Sequence, residues 1–294
     1  MNRSILYTLF MLFLSVQMSM SQSNDLRIIM IGAHPDDCDI KSGGTAALFA
    51  SMGYKVKFLA VTNGDAGHQS MGGGALAKIR RAEAEESARR LGIVEYKVLD
   101  NHDGELVPSL EVRLQIIREI REWKADVVIA PRPNDYHPDH RYTGVLVQDA
   151  SYMVAVPNVA PDTAPLEKNP VFLYFQDHFQ RPNPFRPDIV VDIDQTFDKK
   201  ISGLDAHVSQ FYEWLPWIGG YAADVPEGKT ARIEWLKKVR EGNISDSERA
   251  GLEKWYGSSH AKNVKHAEAF QICEYGKQPT DDDIRKLFPM LKKK

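Results

Sequence analysis

Only two cysteines, Cys38 and Cys273, occur in this chain of 294 residues. A single pair is no disulfide framework, so the fold has to rest on a hydrophobic core, for which the length is ample. A basic face is also lacking. The net charge is −3 and the longest basic run is Lys292-Lys293-Lys294, which reads as a solvated end and gives nucleic acid no electrostatic foothold. Internal repeats, low-complexity tracts and a clean linker are absent too, so one domain with elaborations is expected. The G-x-G-x-x-G fingerprint of dinucleotide binding does not follow the first apolar run after the N-terminus.

One apolar run stands apart, from Ile5 to Leu14, behind Arg3 and ahead of Ser19 and Ser21. A positive start, a short apolar stretch and small residues before a cut describe a secretory signal peptide over residues 1–21, cleaved before Gln22. The run is shorter than the roughly 20 residues of a bilayer span, so no stable membrane anchor is expected after cleavage. The mature chain, 22–294, is then secreted or periplasmic.

Within it, apolar runs alternate with amphipathic stretches. Strands are expected at 26–33, 55–62, 96–99 and 126–130. Helices are expected from Gly43-Gly44-Thr45 to about Met52, over 75–91 with Gly92 as its stop, from the N-cap Ser109 to Trp123, and over 139–154. This alternation implies an α/β fold with a Rossmann-like, doubly wound, mostly parallel sheet. The second half is less regular. Strands are expected at 171–175 and 188–192, and helices over 195–213, around 233–240 and over 261–276.

In such sheets ligands bind beyond the carboxyl ends of the strands. Four polar segments fall there: His34-Pro35-Asp36-Asp37, Asn63-Gly64-Asp65, Asp100-Asn101-His102-Asp103 and His137-Pro138-Asp139-His140. Imidazoles and carboxylates at two strand ends suit a metal, because a catalytic zinc takes three such ligands and keeps one position open. His34, Asp37 and His140 are the candidate ligands. A turn at Pro35 directs Asp36 away from them, where a general base would stand. His137, three residues before His140, is placed to stabilise an oxyanion if protonated, with Asp139 or Asp103 orienting its ring and keeping it charged. Cys38 reads as a small buried residue rather than a thiolate ligand. The aromatic stretch 211–217 reads as core or a subunit contact of a homo-oligomer more than as a sugar platform. His102, His178, His207, His260 and His266 read as structural or exposed.

Ala33-His34-Pro35-Asp36-Asp37 together with Asn134-Asp135-Tyr136-His137-Pro138-Asp139-His140 resembles the PIG-L / LmbE-like zinc deacetylases. Arg80-Arg81-Ala82-Glu83, Asp103-Gly104-Glu105-Leu106 and His207-Val208-Ser209-Gln210 fit the same pattern in chain order. The resemblance implies Zn2+ held by His34, Asp37 and His140, Asp36 as base, His137 at the oxyanion, and Arg80 holding substrate. It implies removal of an N-acetyl group from an N-acetylglucosamine-type sugar or glycoconjugate. Asp103, Asn63 and Asp65 join Arg80 as expected substrate contacts on the same rim. Two positions depart from the family. Many members carry Glu where this chain has Cys38, and some place a catalytic Tyr where it has Asp135. Competing readings are a zinc amidase of another acyl-amide such as a thiol-sugar conjugate, a catalytically silent sugar-binding relative, and a nucleotide-binding sheet. The last is opposed by the missing glycine fingerprint, and the silent relative by the presence of every candidate catalytic residue.

Overall fold

The computed structural model describes residues 26–291, so the expected signal peptide lies outside the described residues. Four parallel strands build the first half: β1 (Arg27–Gly32), β2 (Lys55–Thr62), β3 (Glu95–Asn101) and β4 (Val127–Ala130). β5 (Val171–Phe175) continues the parallel set beside β4. β6 (Ile189–Asp192) and β7 (Ala267–Gly276) complete a seven-stranded sheet in the order β3-β2-β1-β4-β5-β7-β6, with β7 antiparallel to both neighbours.

Strand periodicity explains the layering. Along β1, Ile28 and Met30 enter the core on one face while Ile29 and Ile31 enter the core on the other, all fully buried. Each such side chain stabilises the fold by about 1.5–3 kcal/mol relative to exposure. On the first face lie α1 (Asp37–Ser51), α2 (Gly73–Leu91) and α5 (Phe197–Ala206). On the second lie α3 (Leu110–Trp123) and α4 (Pro138–Met153). Ser109 caps α3 by accepting the Val112 N–H, and Gly92 closes α2 at φ 80°. Among the described residues no helix is long and apolar enough to cross a membrane.

Three expectations need correction. α1 begins at Asp37, not at Gly43. The glycines lie inside it because a Cβ on Gly44 would stand 2.7 Å from Ile193 Cδ1, so only glycine allows that close packing. Residues 267–276 form β7 rather than a helix. Their Ala, Glu and Gln favour helix locally, but β7 fills the gap between β5 and β6, and tertiary pairing overrides propensity. The helix expected over 195–213 ends at Ala206, and a π-helix, Ser209–Trp214, follows. A helix at Asp246–Tyr256, opened by a Ser245/Glu248 capping box, was not anticipated.

Strand order reverses between β1 and β4. That switch point places the β1–α1 turn beside the β4–α4 loop, which is where an open α/β sheet forms its crevice.

Candidate active site

The two motif segments meet at this crevice. His34 leaves the end of β1 and Pro35 turns the chain. Asp36 sits at φ 157°, ψ −22°, outside the regions that L-residues ordinarily occupy, and Asp37 starts α1. Asp37 Oδ2 accepts the backbone N–H groups of Ala33 and His34, both at 2.8 Å, which fixes its carboxylate. Across the crevice Pro138 opens α4, so His137 and His140 stand one turn apart.

His34 Nδ1 lies 3.2 Å from His140 Nε2 and 3.6 Å from Asp37 Oδ2, and His140 Nε2 lies 3.4 Å from Asp37 Oδ1. Bonds of about 2.0–2.2 Å to a tetrahedral ion would set neighbouring ligand atoms about 3.3–3.6 Å apart. The donor set therefore fits zinc in chemistry and in spacing. His34, His137 and His140 also bring one ligand atom each within 4.8 Å of one another, as do His34, Asp103 and Asp139. The second group is not a rival site. Asp139 is fully buried and its oxygens accept the N–H groups of Gly104 and Leu106. It meets His34 on the far nitrogen: Nε2 is 2.9 Å from Asp103 Oδ1 and 3.3 Å from Asp139 Oδ2. His34 thus turns Nδ1 to the crevice and is held by carboxylates from behind, the arrangement that orients metal-binding histidines.

Charge follows from these contacts. Burial would lower the pKa of His34, but the hydrogen bonds to Asp103, Asp139 and Asp37 raise it well above its usual value. Burial likewise opposes protonation of His140, and Asp37 with Asp135 pushes it up to about 9. Burial raises Asp36, with the Arg80 guanidinium working against it. Burial also works to raise Asp103, yet the His34 contact brings it down to about 2.

His137 differs from its expected state. Burial first, then the charges of His34 and His140, lower its pKa. Neither the Asp139 nor the Asp103 carboxylate orients it, since both face His34. Its Nδ1 accepts the Asp139 backbone N–H at 3.2 Å, so the proton of the neutral ring sits on Nε2. Nε2 is therefore the nitrogen left to donate, and the surroundings of the ring disfavour the charge expected from the sequence.

Asp36 Oδ1 lies 3.2 Å from Arg80 Nη2, which also donates to the Pro35 carbonyl at 2.9 Å. Arg80 is buried and passes close to Gly64, where a Cβ would stand 2.9 Å from Arg80 Nη1 and the backbone has φ +70°. Arg80 and Asp103 line a cavity of about 520 Å³ with His34, Asp36, Asp37, His137 and His140. Asn63 and Asp65 do not line it. Asn63 bonds to Asp100 and to the Asp65 N–H, and Asp65 holds His102 and the Asp103 N–H, so both shape the loops behind the wall. Cys38 is buried and donates to the Met30 carbonyl, away from the ligand cluster.

A family model described as GlcNAc-PI de-N-acetylase (PIG-L) matches residues 29–151. The diacetylchitobiose deacetylase of Thermococcus kodakarensis is 33% identical over 208 residues, 66% of this chain and 76% of that protein. The chain belongs to the PIG-L family. The solved N,N'-diacetylchitobiose deacetylase of Pyrococcus horikoshii superposes with TM-score 0.62 at 26% identity, covering 91% of this chain and 92% of that one. A 4-oxalmesaconate hydratase of Pseudomonas putida is 24% identical over 193 residues, 63% of this chain and 74% of that protein.

Several cavity residues of this PIG-L chain escaped sequence reasoning. Trp214, Leu215 and Ile218 form one wall, with Trp217 stacked on Trp214 at 5.5 Å. Gln210 donates to the Gly67 carbonyl, and Glu213 meets His68 at 2.8 Å, so the π-helix clasps the β2–α2 loop. His178, expected to be structural or exposed, lines the cavity beside Phe179. The one available signal was the aromatic density of 211–217, which periodicity assigns to core.

Proposed function

We propose that this chain is a zinc-dependent hydrolase that removes the N-acetyl group from an N-acetylglucosamine-type sugar or glycoconjugate. The observation that carries the reading is the convergence of His34 Nδ1, His140 Nε2 and the Asp37 carboxylate at 3.2–3.6 Å, with Asp36 and His137 facing the same cavity. When bound, such an ion supplies Lewis acidity and makes water nucleophilic near neutral pH.

The chain's own groups supply the rest. Asp36, raised by burial and tempered by Arg80, is suited to accept the water proton and return it to the leaving amine. His137 presents its Nε2–H toward the oxyanion as the acetamide carbon becomes tetrahedral. Arg80 and Asp103 offer a donor and an acceptor to ring hydroxyls. Trp214 offers the apolar face that a pyranose stacks against.

The cavity carries groups of both signs. Four carboxylates, Asp36, Asp37, Asp103 and Asp135, line the cavity against Lys41 and Arg80. Lys41 already donates to the Gln176 carbonyl, and Arg80 is tied to Asp36 and Pro35.

Purified protein incubated with N-acetylated sugars and conjugates should release amine and acetate, and a chelator should abolish the release. No chelator-sensitive release across such a panel would overturn the reading. We further propose export: residues 1–21 act as a cleaved signal peptide, and mass spectrometry of the mature protein from its host should find Gln22 at the N-terminus.

A further inference from the structure

Each candidate metal-binding histidine shows the crevice one nitrogen and has the other against carboxylate. For His34 the backing is double, from Asp103 and Asp139. For His140 it is single: among the described residues Asp135 Oδ2, at 3.2 Å, is the carboxylate oxygen facing Nδ1. The position is rigid. Asp135 Oδ1 accepts the His137 N–H at 3.0 Å, and Arg141 Nη1 donates to the carbonyls of Asp135 and Tyr136 at 2.8 and 2.9 Å. The carboxylate is only 12% exposed. Tyr136 is the neighbour, 74% exposed, with its ring 6.1 Å from that of His140.

We propose that Asp135 is a positioning residue that keeps hydrogen on His140 Nδ1, so that Nε2 is the nitrogen that gives up its hydrogen and ligates the metal. A neutral imidazole carries one hydrogen, and which nitrogen holds it is set by the partner of the other. Once Nε2 gives up its hydrogen to ligate, an acceptor-only carboxylate at Nδ1 holds the remaining hydrogen there. This rests on the metal-centre reading above and adds to it the group that sets one ligand's tautomer.

The chemistry separates this role from simple capping of the loop. In Asp135→Asn the side-chain oxygen can still accept the His137 N–H, which leaves the NH2 to donate to His140 Nδ1. That drives the hydrogen to Nε2 and blocks the metal. The opposite amide orientation would set NH2 against the His137 N–H. Asp135→Ala removes the cap but imposes no tautomer.

The test is zinc affinity of the full chain, measured by competition with a chromophoric chelator, alongside thermal melting of the metal-free proteins. Asn should bind zinc about ten- to a hundredfold more weakly than wild type, and more weakly than Ala, with metal-free melting close to wild type. Zinc binding by Asn equal to wild type overturns the proposal, and so does weaker binding by Ala than by Asn, which is the order capping alone gives. If Ala does not fold, the Asn and wild-type pair still decides. Wild-type protein that binds no zinc overturns this proposal as well. Tight zinc binding without amine release refutes the deacetylase reading and leaves the role of Asp135 standing.

Discussion

The two halves of the sheet contribute different things to one cavity. Strands β3, β2, β1 and β4 are parallel, and the carboxyl ends of β1 and β4 carry the whole candidate ligand and base set, from His34 to Asp37 and from Asp135 to His140. The segments around β5, β6 and β7 carry none of it. They supply the wall at Trp214, the clasp at Gln210 and Glu213, and the brace at Glu268. Glu268, on β7, is buried and accepts the N–H groups of Gly44 and Thr45 in α1 at 3.0 and 2.7 Å while pairing with Lys200 at 2.8 Å. One half therefore holds the candidate reacting groups at a topological switch, and the other fixes the helix that follows the first motif and shapes what can enter. Variants of the candidate ligand and base residues should change turnover or metal, and variants of the residues that brace or shape the cavity should change stability or KM.

The sharpest contrast lies within the first half. Asp36→Asn should reduce kcat about a thousandfold while zinc content measured by metal analysis stays at the wild-type level. His140→Ala should lose zinc itself. Equal zinc loss in both would merge base and ligand into one role and break the division.

In the second half, Glu268→Ala should lower stability by about 3 kcal/mol, because it strands Lys200 and two α1 amide groups. Chemical denaturation reads this, and kcat at low temperature should remain within a few-fold of wild type. A large kcat loss without destabilisation would show that the far half takes part in chemistry. Trp214→Ala should raise KM for an amino-sugar substrate about tenfold, the size of one aromatic contact, with a smaller change in kcat. Gly67→Ala, in the first half's loop that Gln210 clasps, should act least. Its Cβ would stand 3.2 Å from Asp103 Oδ2 and 3.4 Å from Arg80 Nη1, crowding the proposed hydroxyl contacts and raising KM a few-fold.

Legibility in the sequence divides along the same line. β1, β2, β4 and β5 were readable because strands buried on both faces need unbroken apolar runs. The strand β7 was not, because Ala267-Glu268-Ala269-Phe270 has a helical composition, and its one buried charge is satisfied by Gly44 and Thr45, more than 200 residues away in sequence, and by Lys200, 68 residues away. The helix at 246–256 did carry a signal, the Ser245/Glu248 capping box, inside a stretch read as polar and irregular.

In the candidate active site, the sequence by itself determined which candidate groups meet. His-Pro-Asp-Asp and His-Pro-Asp-His put imidazoles and carboxylates at strand ends, where the fold class brings ligands together. Only the tertiary structure decided which nitrogen each ring presents, that Asp103 and Asp139 back His34 rather than His137, and that Asn63 and Asp65 lie behind the wall. A motif specifies side-chain chemistry over a few residues. A ring's tautomer and a cavity's lining depend on hydrogen-bond partners from other strands and helices, and packing alone sets those.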